Sequence, residues 1–445
     1  MRHSTAALLV LTLGCGAEEG PAAVATDTSG TSDPGSEGAS ETGASTPTVG
    51  GTVGGGSEDG SSSTDSADTT SSNDDSTGSE GRPDCSDEQW LCQNSCCSWH
   101  VDIVDADGED VGRDPALAIG EDGAPRVAYR ADSELRVAAG SRGEWAYETI
   151  DYFVAVSGWA APAGIELAIG PNDEYVVAAS QPASAGGEVN ELHLYSAVGG
   201  VGFSPLETWT LPDDFTFGST AAIEPSVQVD SGGAIHAAFS LPDNRFVNSA
   251  GLGYLIGEGG EWTFHQHGRS SSGGVVSLIL VDDTPYWLSS EGLLSGAPPE
   301  WDVSPPPTAE PGSTWEDWRL HRLRIGPDGS FHAALQKNDG YYYAVWDGAT
   351  WETEPVFSDN DEFAERSFDL QVDPQGGVHL VYYDAVQERA YYGRQQGDSW
   401  RSLPIDLAPR AGQGIRLSLV DGAAHVAYHD ATLRVLKHAV LSAEN

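Results

Sequence analysis

A four-part pattern of alternating apolar residues repeats along the chain from residue 99 onward. In its clearest copy, an apolar run at 116–119 is followed by a turn at 120–125 and by further runs at 126–129, 135–138 and 145–150. Each run is short and is bounded by Gly, Pro or Asp, which predicts antiparallel strands joined by hairpins. We therefore expect each repeat to form a small four-stranded sheet.

The first run and its turn occur seven times, beginning near Ala116, Ile165, Pro225, Val275, Leu320, Phe368 and Ile415. An aromatic residue marks the fourth run at seven positions, namely Trp99, Trp145, Phe203, Trp262, Trp301, Trp351 and Trp400. The spacing of these markers is typical of β-propeller repeats. We expect the marker side chains to fill the wedges between neighbouring sheets rather than to hold a metal or cofactor.

The two ends of the repeat region are out of phase with each other. Trp99 has no repeat before it, and the first run near Ile415 has no aromatic-marked fourth run after it. Residues 99–104 are therefore predicted to pair with the C-terminal segment and close the ring, which removes open sheet edges. The predicted fold is all-β: a seven-bladed β-propeller of four-stranded antiparallel blades over residues 99–445, closed by an N-terminal strand and preceded by a disordered tether.

Blades that read like Val378-His379-Leu380-Val381-Tyr382-Tyr383-Asp384 resemble those of the seven-bladed propeller superfamily, especially predicted lipoproteins of soil bacteria. The resemblance covers about residues 99–440 and implies the fold. It implies no single activity, because propellers host lectins, lyases, hydrolases and protein-docking platforms alike.

Residues 1–15 have the features of an export signal, with Arg2 followed by an apolar stretch at 6–13. Leu13-Gly14-Cys15 resembles the lipobox of bacterial lipoproteins, although Thr12 stands where that family prefers Leu. The resemblance implies that Cys15 is lipidated. We expect a cell-envelope location, as an outer-membrane or cell-surface lipoprotein, with ordinary secretion as the alternative.

The segment 16–84 is rich in Ser, Thr, Gly, Asp and Glu and contains almost no large apolar side chains. Such a composition predicts a disordered tether. A four-cysteine knot at 85–98 follows, and in an exported chain it predicts two disulfides. A strained bridge between adjacent cysteines is disfavoured, and a zinc site is the alternative. The knot contains Cys85, Cys92, Cys96 and Cys97.

The formal net charge of -47 excludes polyanionic partners. Nucleic acid and anionic lipid surfaces would be repelled by this field, so membrane contact is expected through the lipid anchor alone. We expect a monomer whose partner is a glycan or a protein.

The longest connections between repeats fall on one face of the predicted ring: 181–191, 210–224, 241–252 and 302–318. Tyr, Arg, Asp and His recur in the shorter connections of this loop-rich face, where variable loops commonly bind ligands. The alternative is that these side chains only cap their own turns. The candidate ligand-binding residues are Arg130, Asp132, Asp384, His429 and Asp430.

No catalytic motif stands out in the sequence. Sialidase-type Asp boxes, a nucleophile elbow, a zinc-binding His-Glu-x-x-His and a phosphate-binding loop are all missing. Calcium at the carboxylate-rich segment 105–110 is the alternative to a protein without a cofactor, although Ala116 stands where the last ligand of such a loop would be Glu. No metal, cofactor or catalytic residue is therefore predicted.

Four histidines recur at the start of second strands, where a structural role is favoured over a metal ring: His236, His332, His379 and His425. The sequence thus favours a non-catalytic, surface-exposed lipoprotein that binds a glycan or a protein. The alternative is a polysaccharide lyase or glycoside hydrolase acting through paired carboxylates in the central cleft.

Overall fold

The computed structural model describes residues 89–92, 95–153, 164–182, 190–210, 225–241, 251–267, 276–289, 292–307, 318–337, 340–358, 367–397 and 399–443. Apart from a 3₁₀ turn at Pro171–Asp173, the regular elements in these ranges are strands. The described part has no helix that could serve as a membrane span. Cys15, the segment 16–84, Cys85 and most of the long connections of the loop-rich face lie outside the described residues.

The first half of the described chain forms short antiparallel strands of the kind the repeat predicts. Two strands precede the repeats, β1 (Trp90–Cys92) and β2 (Ser95–Asp105). Three four-stranded sheets follow. Their strands are β3 (Val111–Ile119), β4 (Pro125–Ala131), β5 (Glu134–Ser141), β6 (Glu144–Tyr152), β7 (Ile165–Gly170), β8 (Glu174–Pro182), β9 (Asn190–Val198), β10 (Ser204–Thr210), β11 (Pro225–Val229), β12 (Ile235–Leu241), β13 (Gly251–Glu258) and β14 (Glu261–His267).

The second half continues the same arrangement. Two further four-stranded sheets are built from eight strands: β15 (Ser277–Val281), β16 (Thr284–Ser289), β17 (Gly292–Ser295), β18 (Asp302–Ser304), β19 (Trp318–Ile325), β20 (Phe331–Lys337), β21 (Gly340–Trp346) and β22 (Trp351–Ser358). The last strands are β23 (Phe368–Val372), β24 (Val378–Asp384), β25 (Arg389–Gln396), β26 (Ser399–Pro404), β27 (Ala411–Val420), β28 (Ala423–Asp430) and β29 (Val435–Ala443).

The described strands form a propeller of four-stranded antiparallel blades, but the number of separate sheets differs from the prediction. Five sheets stand alone rather than seven, and the remaining strands, β23–β29 with β1 and β2, belong to one nine-stranded sheet. The prediction of seven separate blades is therefore wrong as a description of the sheets. The physical reason is a parallel bridge between Arg389 of β25 and Ala411 of β27, which joins strands that the repeat assigns to different blades.

The innermost strands surround the centre of the fold. In chain order they are β3, β7, β11, β15, β19, β23 and β27. Each contacts the next, and β27 contacts β3. These contacts make a closed ring, so one residue type repeated along the innermost strands is brought together from all parts of the chain.

The N-terminal strand pairs with the C-terminal one, as the phase of the repeat predicts. β2 lies antiparallel to β29, with Trp99 opposite Leu441. The strand is longer than the predicted 99–104 segment and begins at Ser95. Cys97 is a buried residue of this strand. Because Cys85 and the side chain of Cys92 are outside the described residues, the two-disulfide knot stays a prediction.

The aromatic markers occupy the positions expected of wedge fillers. The described part of the chain has seven hydrophobic clusters, and each contains one marker packed at its margin. Trp145, for example, packs against the cluster around Tyr129, and Trp400 packs against the cluster around Tyr382. Burial of such large rings between sheets supplies much of the apolar area that stabilises the ring.

Candidate ligand site in the central channel

A cavity of about 310 Å³ lies at the centre, and all seven innermost strands line it. We call it the central channel. Alternate residues of a strand point to the same side. Among the lining residues, β3 and β7 contribute the small side chains of Ala118 and Ala168, whereas β19, β23 and β27 contribute charged and amide side chains. The polar and charged lining residues are Glu166, Ser226, Gln228, Ser277, Arg322, Arg324, Asp369, Gln371, Arg416 and Ser418.

Arg322 joins two carboxylates from distant blades. Its Nη2 lies 2.9 Å from Oε1 of Glu166, and its Nε lies 3.4 Å from Oδ1 of Asp369. The Arg322 side chain is almost completely buried. The pairing therefore neutralises charge where water cannot do so, and it holds β7, β19 and β23 in one arrangement.

Both oxygens of the buried Asp369 accept backbone hydrogen bonds. Oδ1 accepts the N–H of Leu370, and Oδ2 accepts the N–H of Leu417 in the next innermost strand, both at 2.8 Å. With Arg322 and Arg324 also beside it, this carboxylate is fully engaged in holding the ring. Contacts on both oxygens therefore fix the position of this carboxylate.

Two serines tie other innermost strands together in the same way. Ser226 Oγ accepts the N–H of Leu278, and Ser277 Oγ accepts the N–H of Leu323, each at 2.9 Å. Both serines are buried. The polar residues of the channel wall thus satisfy backbone groups that the neighbouring strand leaves open.

Arg324 lies in a looser setting than Arg322. Its Nη1 donates to the carbonyl of Leu323 at 2.9 Å, and its Nη2 lies 3.4 Å from Asp369 Oδ1. About 23% of its side chain is exposed, against 8% for Arg322. Desolvation in the channel lowers the pKa of Arg324 from its ordinary value, Asp369 acts against that shift, and Arg322 adds to it.

On β27, Arg416 Nη1 donates to the carbonyl of Ile415 at 3.1 Å. Gln371 Nε2 donates to the carbonyl of Leu417 at 3.0 Å. Three arginines thus face two carboxylates among the lining residues, which leaves one positive charge in excess. The repeat pattern does not predict this site. The signal is visible in the sequence as Arg322-Leu323-Arg324 and Ile415-Arg416, but only ring closure shows that they face one cavity.

The candidate residues of the loop-rich face are placed elsewhere. Asp384 Oδ1 accepts the N–H groups of Val386 and Gln387, both at 2.9 Å. Asp430 Oδ1 accepts those of Thr432 and Leu433 at 3.0 and 2.9 Å. Both aspartates therefore cap the turns that follow them.

The other three candidates are also held internally. Asp132 accepts the N–H groups of Glu109 and Asp110 at 3.1 and 3.0 Å. His429 Nε2 lies 3.2 Å from Asp110 Oδ1, and burial lowers the pKa of this histidine. Arg130 is buried. None of the five lines the central channel, and ligand binding by them stays a prediction.

A buried lysine anchors the last blade on the loop-rich face. Lys437 Nζ lies 2.8 Å from Asp406 and 2.6 Å from the fully buried Asp430. Burial alone would lower the pKa of Lys437, but the hydrogen bonds to the two carboxylates outweigh it and raise this pKa. Tyr428 also donates to Asp406, at 3.0 Å.

The first blade has an equivalent arrangement. Arg136 Nη1 lies 2.8 Å from Asp105 Oδ2, and Arg136 Nε lies 2.7 Å from Glu134 Oε2. Tyr129 donates to the same Asp105 oxygen at 2.6 Å, and burial followed by this bond raises the Tyr129 pKa. In both blades an aspartate that follows a fourth strand reaches a tyrosine and a cation of the next blade.

The acidic segment 105–110 is used by these internal contacts. Asp105 Oδ1 accepts the N–H of Asp107 at 2.8 Å, Asp107 accepts the Tyr147 hydroxyl, and Asp110 pairs with Arg113. Among the described residues, no group of three or more His, Cys, Asp or Glu side chains is placed to hold a metal ion.

The recurring histidines make structural pairs, each within its own repeat. The Nδ1 atoms of His236, His332 and His379 each hydrogen-bond a tyrosine hydroxyl of the third strand. His332 Nδ1 lies 2.5 Å from the hydroxyl oxygen of Tyr343. His379 Nε2 lies 3.0 Å from Asp373 Oδ2. The fourth, His425, contacts another histidine instead. The favoured structural interpretation is thus supported by a specific partner in each case.

Comparison with known proteins gives structural matches only. No family model matches the sequence, and no curated protein matches it. A Dyadobacter fermentans protein of unknown function matches at 13% identity and a TM-score of 0.44, covering 78% of this chain and 100% of its own. An α-L-arabinanase of Penicillium chrysogenum, complexed with arabinobiose, matches at 9% identity and a TM-score of 0.46, covering 78% and 97%. The polysaccharide lyase Uly1 matches at 10% identity and a TM-score of 0.36, covering 74% and 77%.

Proposed function

We propose that this protein is a non-catalytic binding propeller that takes a glycan ligand in its central channel. The observation that carries the proposal is the state of the two channel carboxylates. Asp369 accepts a backbone bond on each oxygen, and Glu166 is paired with buried Arg322. Polar donors line a cavity, but the acids that a hydrolase would use are engaged in holding its wall.

The size of the channel favours a small ligand. Ligand sites in proteins span about 300–1,000 Å³, and the channel holds about 310 Å³. That volume suits the end of a glycan chain better than a folded protein partner. Gln228, Gln371 and Ser418 offer neutral polar groups for sugar hydroxyls.

Retention on a glycan array tests this function with the full-length protein. Binding to at least one glycan class is expected, and a Ser418→Trp variant, which fills the channel, is expected to abolish it. Ser141→Trp, on the exposed hairpin between β5 and β6, is the matched control and should bind normally. Undiminished binding by the Ser418→Trp variant would place the ligand outside the channel and overturn the proposal.

The alternative is a polysaccharide lyase or glycoside hydrolase. It has one observation in its favour, since Arg322 draws Glu166 and Asp369 to the same guanidinium group. A hydrolase needs two carboxyl groups about 5–10 Å apart and one of them protonated, whereas here both face an arginine. Depolymerisation of a bound glycan that is lost in a Glu166→Gln variant would favour the enzyme.

We also propose that the nine-stranded sheet functions as two blades, which makes seven around the ring. The seven innermost strands in mutual contact support this division, as does the limited pairing between β25 and β27.

Finally, we propose that the propeller is exported and held at the cell surface by a lipid on Cys15, with 16–84 as an acidic tether. The lipobox-like Leu13-Gly14-Cys15 supports this proposal. Metabolic labelling with a fatty-acid analogue should mark the wild type and not a Cys15→Ser variant, which would be released as a secreted protein.

A further inference from the structure

We propose that the central channel selects glycans that carry a carboxylate, such as uronic acid residues, with Arg324 and Arg416 as the groups that recognise the anion. The inference rests on the proposed binding function and names its ligand class. It starts from a contrast in charge: the chain carries -47 overall, yet the channel has more arginines than carboxylates.

The excess of one positive charge matches one carboxylate. Glu166 and Asp369 are the acids among the lining residues, and both are neutralised by Arg322 and its neighbours. A ligand carboxylate in the channel would therefore lie near acids whose negative charge is already paired with arginine. A phosphate, with nearly two charges, would be less well balanced and would be repelled more strongly by the acidic exterior.

Arg324 has the donor capacity that this recognition needs. A guanidinium has five N–H donors in a planar fork that fits a carboxylate in bidentate fashion. The internal contacts of Arg324 are one carbonyl at 2.9 Å and one carboxylate oxygen at 3.4 Å. An added anion would also offset the desolvation of this side chain, which lowers its pKa.

Arg416 supplies the second point of contact from another strand. It is half-buried on β27, and it lies in the same lining as Arg324 of β19. Arginine, unlike lysine, loses little freedom when it binds a planar anion. Two arginines from different blades fix the orientation of a carboxylate, while the amides of Gln228 and Gln371 remain for hydroxyl groups.

Titration calorimetry of the full-length protein with trigalacturonate, its methyl ester and a neutral galactose trimer tests the inference. The free acid should bind about 10-fold or more tightly than the ester, as expected for the loss of a charge-assisted hydrogen bond. This comparison uses the wild type, so it is independent of whether any variant folds.

Variants then assign the residues. Arg324→Gln and Arg416→Gln should each lower the affinity for trigalacturonate by about 10-fold and leave the affinity for the ester nearly unchanged. Arg142→Gln, on an exposed hairpin, is the matched control. Equal affinity for acid and ester would overturn the inference and leave the binding function standing. Binding of no saccharide of any kind, on the array or in calorimetry, would reject both.

Discussion

The central channel and the loop-rich face both contain arginine or lysine beside aspartate, but in opposite proportions. At the face, Lys437 lies between two carboxylates, Asp406 and Asp430. In the channel, three arginines line the wall with two carboxylates: Arg322 pairs with both Glu166 and Asp369, and Arg324 lies beside Asp369 alone. A cation with two anions has its charge satisfied inside the protein, whereas a cation that shares one anion can accept another from a ligand.

The difference also separates two uses of the same residue types. Among the face residues that the sequence predicts as ligand contacts, Asp384 and Asp430 cap turns and are buried, as is His429. The channel residues combine ties, such as Asp369, with side chains that remain partly exposed, such as Arg324. Residue type alone therefore does not identify a binding site. The ratio of cationic to carboxylate side chains in contact with each other does.

The largest effect is expected at the face. A Lys437→Met variant removes the cation and leaves Asp430 buried without a counter-charge, which costs about 3–5 kcal/mol of unfolding free energy. Urea denaturation measures it. Glycan affinity in the surviving folded fraction should not change, because Lys437 is not among the residues that line the channel.

Arg434→Met, at an exposed neighbouring position, is the control and should stay within about 0.5 kcal/mol of wild type. If Lys437→Met cost no more than this control, the face network would not be the structural tie that the comparison requires.

A medium effect is expected in the channel. Asp369→Asn replaces a carboxylate that accepts two backbone bonds and pairs two arginines, so it should lower stability by about 1–3 kcal/mol. The same change raises the excess positive charge of the channel. Trigalacturonate should therefore bind about threefold or more tightly despite the weaker fold. Calorimetry measures the affinity for trigalacturonate and urea denaturation measures the stability, with the exposed Asp421→Asn variant as the control. Weaker binding of trigalacturonate by Asp369→Asn would contradict the proposed role of the charge balance.

The smallest effect concerns pH and again distinguishes the two regions. Burial lowers the pKa of His379, and burial with nearby His425 and His100 lowers that of His438 to about 3. Because these folded-state pKa values lie below the unfolded value near 6.5, the unfolded chain takes up protons first. Stability is thus full above about pH 6.5 and falls as the pH drops, by up to about 1.4 kcal/mol per pH unit for each such histidine.

The channel should not share this dependence, since arginine and uronate keep their charges from about pH 8 to 5.5. As the pH falls, the affinity for trigalacturonate is expected to stay constant while the stability declines. His438→Phe should make the stability less dependent on pH and leave the affinity unchanged. An affinity that followed the stability curve would show that the two regions are not independent.

Much of the fold could be predicted because its signals are local. Alternating apolar runs placed the strands, and the aromatic markers such as Trp145 and Trp400 each pack in a separate cluster. The phase of the repeat also paired β2 with β29. The merging of the last strands into one sheet was not predictable, because it depends on a contact between Arg389 and Ala411 that no local pattern encodes.

The sequence by itself determined an acidic, all-β, repeating chain with short hairpins and a terminal strand that completes the last repeat. Strand period and turn chemistry act over a few residues, so they can be read in order along the chain. Only the tertiary structure decided which charged side chains lie close together. Glu166, Arg322, Asp369 and Arg416 are far apart in sequence, and ring closure brings them to one cavity while it buries Asp384 and Asp430 in turns.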